Sequence, residues 1–67
     1  MNESNLVYLK LNEATLIKHV GVNPIYLRQG KYYVGIDTLC GIDEEIESSV
    51  EFSTLELAEE FANELPQ

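Results

Sequence analysis

Apolar and polar positions alternate in the first and fifth sixths of the chain and recur at helical spacing at its end. This change of period divides the sequence into elements. Residues 5–11 (NLVYLKL) read as a strand, with Val7, Leu9 and Leu11 on one face and Leu6, Tyr8 and Lys10 on the other. Residues 12–22 (NEATLIKHVGV) fit a short helix. Asn12 can cap it, Glu13 suits its first turn, and Leu16, Ile17 and Val20 share a face. Gly21 stands where a helix commonly ends in a left-handed residue. Thr15, Ile17 and Val20 are β-branched, so a strand over the same residues stays open.

Residues 25–37 (IYLRQGKYYVGID) read as a β-hairpin. Aromatic and β-branched residues flank Gln29-Gly30, and glycine supplies the positive φ of a tight turn. Thr38–Asp43 then reads as a loop, punctuated by Gly41. Residues 45–52 (EIESSVEF) alternate strictly: Ile46, Ser48, Val50 and Phe52 point one way, and Glu45, Glu47, Ser49 and Glu51 form an acidic outer face.

The last element is an amphipathic helix. Ser53 and Glu56 have the spacing of a capping box, and Phe52 and Leu57 that of a hydrophobic staple. On a helical wheel Leu55, Leu57, Ala58, Phe61, Ala62 and Leu65 fill one half. Glu56, Glu59, Glu60, Asn63 and Glu64 fill the other, and Pro66 ends the helix. The expected fold is therefore α+β: a small antiparallel sheet of three or four strands, the C-terminal helix packed on one face, and a short helix after the first strand. The 67 residues make one domain, with room for one modest core.

Charge changes this picture. Residues 1–36 carry Glu3 and Glu13 against Lys10, Lys18, Arg28 and Lys31, a net +2. Residues 37–67 carry ten carboxylates and no Lys, Arg or His. Such a surface repels nucleic acid and anionic membranes and suits a basic partner. The pairs Glu56/Glu60 and Glu60/Glu64 repel at i,i+4, by about 0.2–0.5 kcal/mol each, where a helix selected for stability alone would carry Lys. A single cysteine, Cys40, allows no internal disulfide, and neither a leader-like run nor a membrane-spanning stretch is present. A cytoplasmic location is expected.

Catalytic chemistry has little to work with. His19 is the only histidine, and Cys40 stands near Asp37, Asp43 and Glu44, which disfavour a thiolate. Nucleophile elbow, zinc-ligand spacing, phosphate loop and calcium loop are all missing, so no enzyme activity, cofactor or metal is expected.

Two segments resemble known families. Residues 13–28 (EATLIKHVGVNPIYLR), with the turn Val20-Gly21-Val22, then Asn23-Pro24 and Tyr26-Leu27, resemble the helix-turn-helix of bacterial regulators and excisionases. That resemblance implies a second helix in the major groove, with Arg28 and Lys31 reaching DNA. Ile17 and Gly30 depart from the pattern: the first replaces a small residue, the second an apolar one. The short run Glu47-Ser48-Ser49-Val50 is similar to the Glu-Ser strand of uracil-DNA glycosylase inhibitors, which implies charge mimicry. Alternate carboxylates on a strand stand about 6.6 Å apart, comparable to phosphates along a nucleic-acid strand.

The reading that joins these features is a non-catalytic acidic binding module. It would be an inhibitor or adaptor, DNA-mimic-like in the manner of phage or mobile-element inhibitors, that docks a basic surface such as that of a nucleic-acid-binding enzyme. Glu45, Glu47, Glu51, Glu56, Glu59, Glu60 and Glu64 would supply the charge, and Tyr26, Tyr32 and Tyr33 the aromatic anchors. Direct nucleic-acid or membrane binding is not expected, and a homodimer is compatible with the pattern. The alternative is a small DNA-binding regulator using residues 13–31.

Overall fold

Every segment rich in β-branched and aromatic residues becomes a strand. The computed structural model describes residues 6–40 and 45–65. Within them lie β1 (Leu6–Lys10), a 3-10 turn (Leu11–Glu13), β2 (Thr15–Val20), β3 (Asn23–Arg28), β4 (Lys31–Cys40), β5 (Glu45–Phe52) and α1 (Leu55–Glu64). The fold is α+β, but its antiparallel sheet has five strands, in the order β1-β5-β4-β3-β2.

The helix expected over residues 12–22 is not formed. Its first residues make the 3-10 turn, and the rest is β2, which pairs with β3 from Thr15↔Leu27 to Val20↔Asn23. Gly21 takes φ +64°, but as the first central residue of a two-residue hairpin turn rather than as a helix terminator. Local propensity was nearly balanced here, and pairing with β3 decides it. Ile17 is the extra residue of a bulge between Leu16 and Lys18, so it faces solvent instead of sharing a buried face with Val20.

The second hairpin forms as its sequence predicts. Gln29 and Gly30 both have positive φ, 53° and 80°, the signature of a type I′ turn. β4 then runs through Thr38–Cys40, which the sequence reads as loop; Gly41, Asp43 and Glu44 lie outside the described residues. Pairing with β5, from Tyr32↔Phe52 to Cys40↔Glu45, extends the strand.

The sheet is strongly curled. Its two edges, β1 and β2, are joined through residues 11–14, and five residues reach at most about 18 Å. In a flat sheet four strand spacings alone take about 19 Å. Lys10 lies in the row of Ile46 and Leu39, whereas Thr15 lies in the row of Leu27 and Tyr32. That adds an offset of about 23 Å along the strands. Only a curl brings the two edges within reach of so short a link. The end of the link is held to the neighbouring hairpin by an ion pair: Glu13, two residues before β2, reaches Arg28 at the end of β3, at 3.6 Å.

α1 covers one face. Ile25, Val34, Ala58 and Ala62 are fully buried there, with Val20, Tyr32, Phe52, Leu55, Phe61 and Leu65 packed around them. Two alanines on the contact line let the helix lie close to the sheet. The helix begins one residue later than the capping-box reading places it. Thr54, not Ser53, is the N-cap, and its Oγ1 accepts from the Leu57 N–H at 3.2 Å. This register turns Leu57 outward, 46% exposed, so it makes no staple. Phe52 packs instead on Phe61, with ring centroids 5.2 Å apart. Pro66 lies outside the described residues.

Candidate functional site

β3 and β4 run together from Arg28↔Lys31 to Ile25↔Val34, and there the ladder stops. Two residues cause the break. Pro24 has no N–H to offer, and Ile36 is the extra residue of a bulge between Gly35 and Asp37. Across the gap the Gly35 carbonyl accepts from Asn23 Nδ2 at 3.4 Å. The parted strands open a cavity of about 520 Å³. Buried Gly35 and Glu47 lie at its bottom, half-buried Tyr26 and Pro24 form its wall, and His19, Val22, Ile36 and Asp37 are its exposed rim.

Glu47 decides the character of this cavity. The sequence places it on an exposed acidic row, but the residue is only 3% exposed. It pairs across the sheet with Leu9, which is 1% exposed, and its neighbour Ser49 is also buried and donates to the Val7 carbonyl at 3.0 Å. The outer face of β5 is therefore the inside of the curl. A glycine at position 35 makes room for the carboxylate: a Cβ there would stand 2.5 Å from Glu47 Oε2. Burial raises the pKa of the Tyr26 phenol above its ordinary value, and the negative charges of Glu47 and Glu45 raise it further. Asn23 is 9% exposed, and its Oδ1 is buried with no hydrogen-bond donor.

The structure separates the residues that the sequence groups as one acidic surface. On β5, Glu45 is exposed at the start, Glu51 is half-buried beside Tyr33, and Glu47 is enclosed between them. On α1, Glu56, Glu60 and Glu64 are exposed, while Glu59 bonds Lys18 Nζ at 2.6 Å. Strand and helix carboxylates belong to opposite faces of the sheet. Of the tyrosines, Tyr33 is buried, Tyr32 packs in the helix-side core and Tyr26 lines the cavity. Sequence reasoning passes over Asn23, Gly35 and Asp37 as site residues. The available signals were a glycine inside a strand, which marks a close approach, and a proline that must interrupt a ladder.

Residues 15–28 form β2, a two-residue turn and β3, so the two helices implied by the helix-turn-helix resemblance are not there. No family model matches the chain, and neither curated proteins nor solved structures yield a match. Among the described residues, no helix is long and apolar enough to cross a membrane, and no group of His, Cys, Asp and Glu is placed to hold a metal ion.

Proposed function

We propose that the protein is a non-catalytic binding module that docks a basic protein surface through the solvent side of α1. The observation that carries this reading is the line Glu56, Glu60 and Glu64. All are exposed, about 6 Å apart along the axis. The ion pairs among the described residues reach Glu59 and Glu13 but none of these three. Such a line is mildly destabilising by itself and becomes favourable against a cationic partner. Its spacing keeps a nucleic-acid-binding enzyme as the partner class. The strand row contributes less, because Glu47 is enclosed and only Glu45 and Glu51 flank it on the surface.

The reading is tested by capturing partners on the immobilised protein at low salt and eluting with rising ionic strength, since exposed charges are screened beyond about 8 Å at physiological salt. Reversal of Glu56, Glu60 and Glu64 to Lys, with the fold checked by circular dichroism, should abolish capture. Reversal of Glu45 and Glu51 should leave most of it. A partner retained equally by both reversals would overturn the proposal.

A further inference from the structure

We propose that the last four residues of β4, Asp37–Cys40, form an internal sheet edge that takes up an extended basic segment of a partner protein as an added strand. This edge is distinct from the acidic helix, and its use does not rest on the reading of α1.

Topology leaves the edge open. β3 pairs with β4 only as far as Ile25↔Val34. β4 runs on to Cys40, paired with β5 through Asp37↔Ser48, Thr38↔Glu47, Leu39↔Ile46 and Cys40↔Glu45. Among the described residues, these four have no strand partner on their other side. A strand paired on one side turns alternate residues' N–H and C=O groups outward, where an extended chain can bond them. The outer edges of the sheet are guarded against such addition. β2 bulges at Ile17 and bears Lys18, and β1 is five residues long and ends in Lys10. Bulges, lysines and short length all oppose strand pairing. Asp37–Cys40 keeps an unbroken register with β5 and carries no lysine.

The surroundings select the occupant. The edge begins where the cavity between β3 and β4 opens, and Asp37 belongs to both. Val22 and Ile36, 69% and 47% exposed, line that cavity beside Pro24 and can cover one apolar side chain of the added segment. Charge sets the rest. Exposed Asp37 stands at one end of the edge and exposed Glu45, opposite Cys40, at the other, about 10 Å along the strand. The ion pairs among the described residues reach neither. Neither the cavity nor the edge holds Lys or Arg. A segment with basic residues at both ends meets opposite charge there, and an acidic one is repelled. A second copy of this chain is a poor occupant. Its net charge is −8, and its four basic residues, Lys10, Lys18, Arg28 and Lys31, already stand in strands of the sheet.

The test is a titration of the full chain, followed by amide NMR, with a blocked hexapeptide of alternating lysine and valine. Saturable shifts are expected at Val22 and from Ile36 to Cys40, with alternate amides of Asp37–Cys40 newly protected from hydrogen exchange. The same peptide with glutamate for lysine should not bind. Backbone methylation separates strand addition from simple charge attraction. Only one alternate set of peptide amides faces β4, so methylating that set should weaken binding by about tenfold or more, and methylating the other should change little. The double variant Asp37→Lys, Glu45→Lys alters two exposed residues and should weaken binding by about threefold to tenfold. Reversal of Glu56, Glu60 and Glu64 should leave it unchanged, so failure of the α1 reading and failure of this one are separately visible. Absence of saturable shifts along β4, equal binding of the glutamate peptide, or tolerance of methylation on both sets would each overturn the proposal. So would concentration-dependent shifts at Asp37–Cys40 without peptide, which would assign the edge to a second copy.

Discussion

The two faces of this sheet are buried by different means. On one, α1 supplies a second layer, and the residues beneath it are apolar: Ile25, Val34, Ala58 and Ala62. On the other, the described residues include no second helix, and the sheet's own curl hides Leu9, Tyr33, Ser49 and Glu47. A helix seals its face with side chains that want no water. A curl leaves an opening wherever two strands diverge, and polar groups collect there. The comparison teaches that in a domain this small a sheet face without a covering helix can still be buried, and that polar side chains such as Glu47 and Ser49 are among what it buries.

The largest effect that could break this contrast is on the sealed face. Ile25→Ala empties a fully buried site and should cost about 2–5 kcal/mol, read as a fall in thermal midpoint. A loss below about 1 kcal/mol would mean the helix layer repacks freely and is not the main core.

A smaller effect is expected on the curled face, and it should depend on context. Gly35→Ala brings a Cβ against Glu47 and should cost about 1–3 kcal/mol, the range for overpacking. Shortening Glu47 to Ala in the same chain should recover part of that loss, so a double-mutant cycle should show non-additivity above about 0.5 kcal/mol. Additive effects would place the strain elsewhere in the bulge.

The smallest effect separates the faces by pH. The Tyr26 phenol titrates above its ordinary value in the folded chain. Between the unfolded and folded values the native state keeps a proton that the unfolded chain releases. The stability from this group is therefore complete below a pH of about 10 and lost as pH rises through the folded value. Tyr26→Phe should flatten the alkaline limb of a plot of thermal midpoint against pH, and a limb unchanged from the parent would remove Tyr26 from the enclosed side of the sheet.

The strands and the C-terminal helix were legible because period and turn chemistry are local. Gln29-Gly30 admits one turn type, and residues 45–52 alternate without interruption. Residues 12–22 misled because capping and terminating residues can serve a helix or a hairpin turn, and the choice lies with the partner strand. Glu47 misled for a different reason. Alternation assigns a residue to a face, but which face the curl encloses depends on the link between β1 and β2 and on the bulge at Ile36, both of which are tertiary facts. The cavity was legible only in fragments, as Pro24 and Gly35 signal a broken ladder without saying what lies beneath it.

The strand order also sets the sequence of folding events. β2, β3 and β4 are joined by two-residue turns, so their pairings close short loops. β1 pairs only with β5, and its contacts, from Leu6↔Val50 to Lys10↔Ile46, close loops of about 36–44 residues. Chain-closure entropy makes that pairing about 2–3 kcal/mol harder to initiate than a hairpin. β1 is then the last of these strands to find its place, and hydrogen exchange should find its amides opening before those of β3 and β4. Until it docks, the concave side of the sheet lacks Leu9, and the enclosure around Glu47 does not exist.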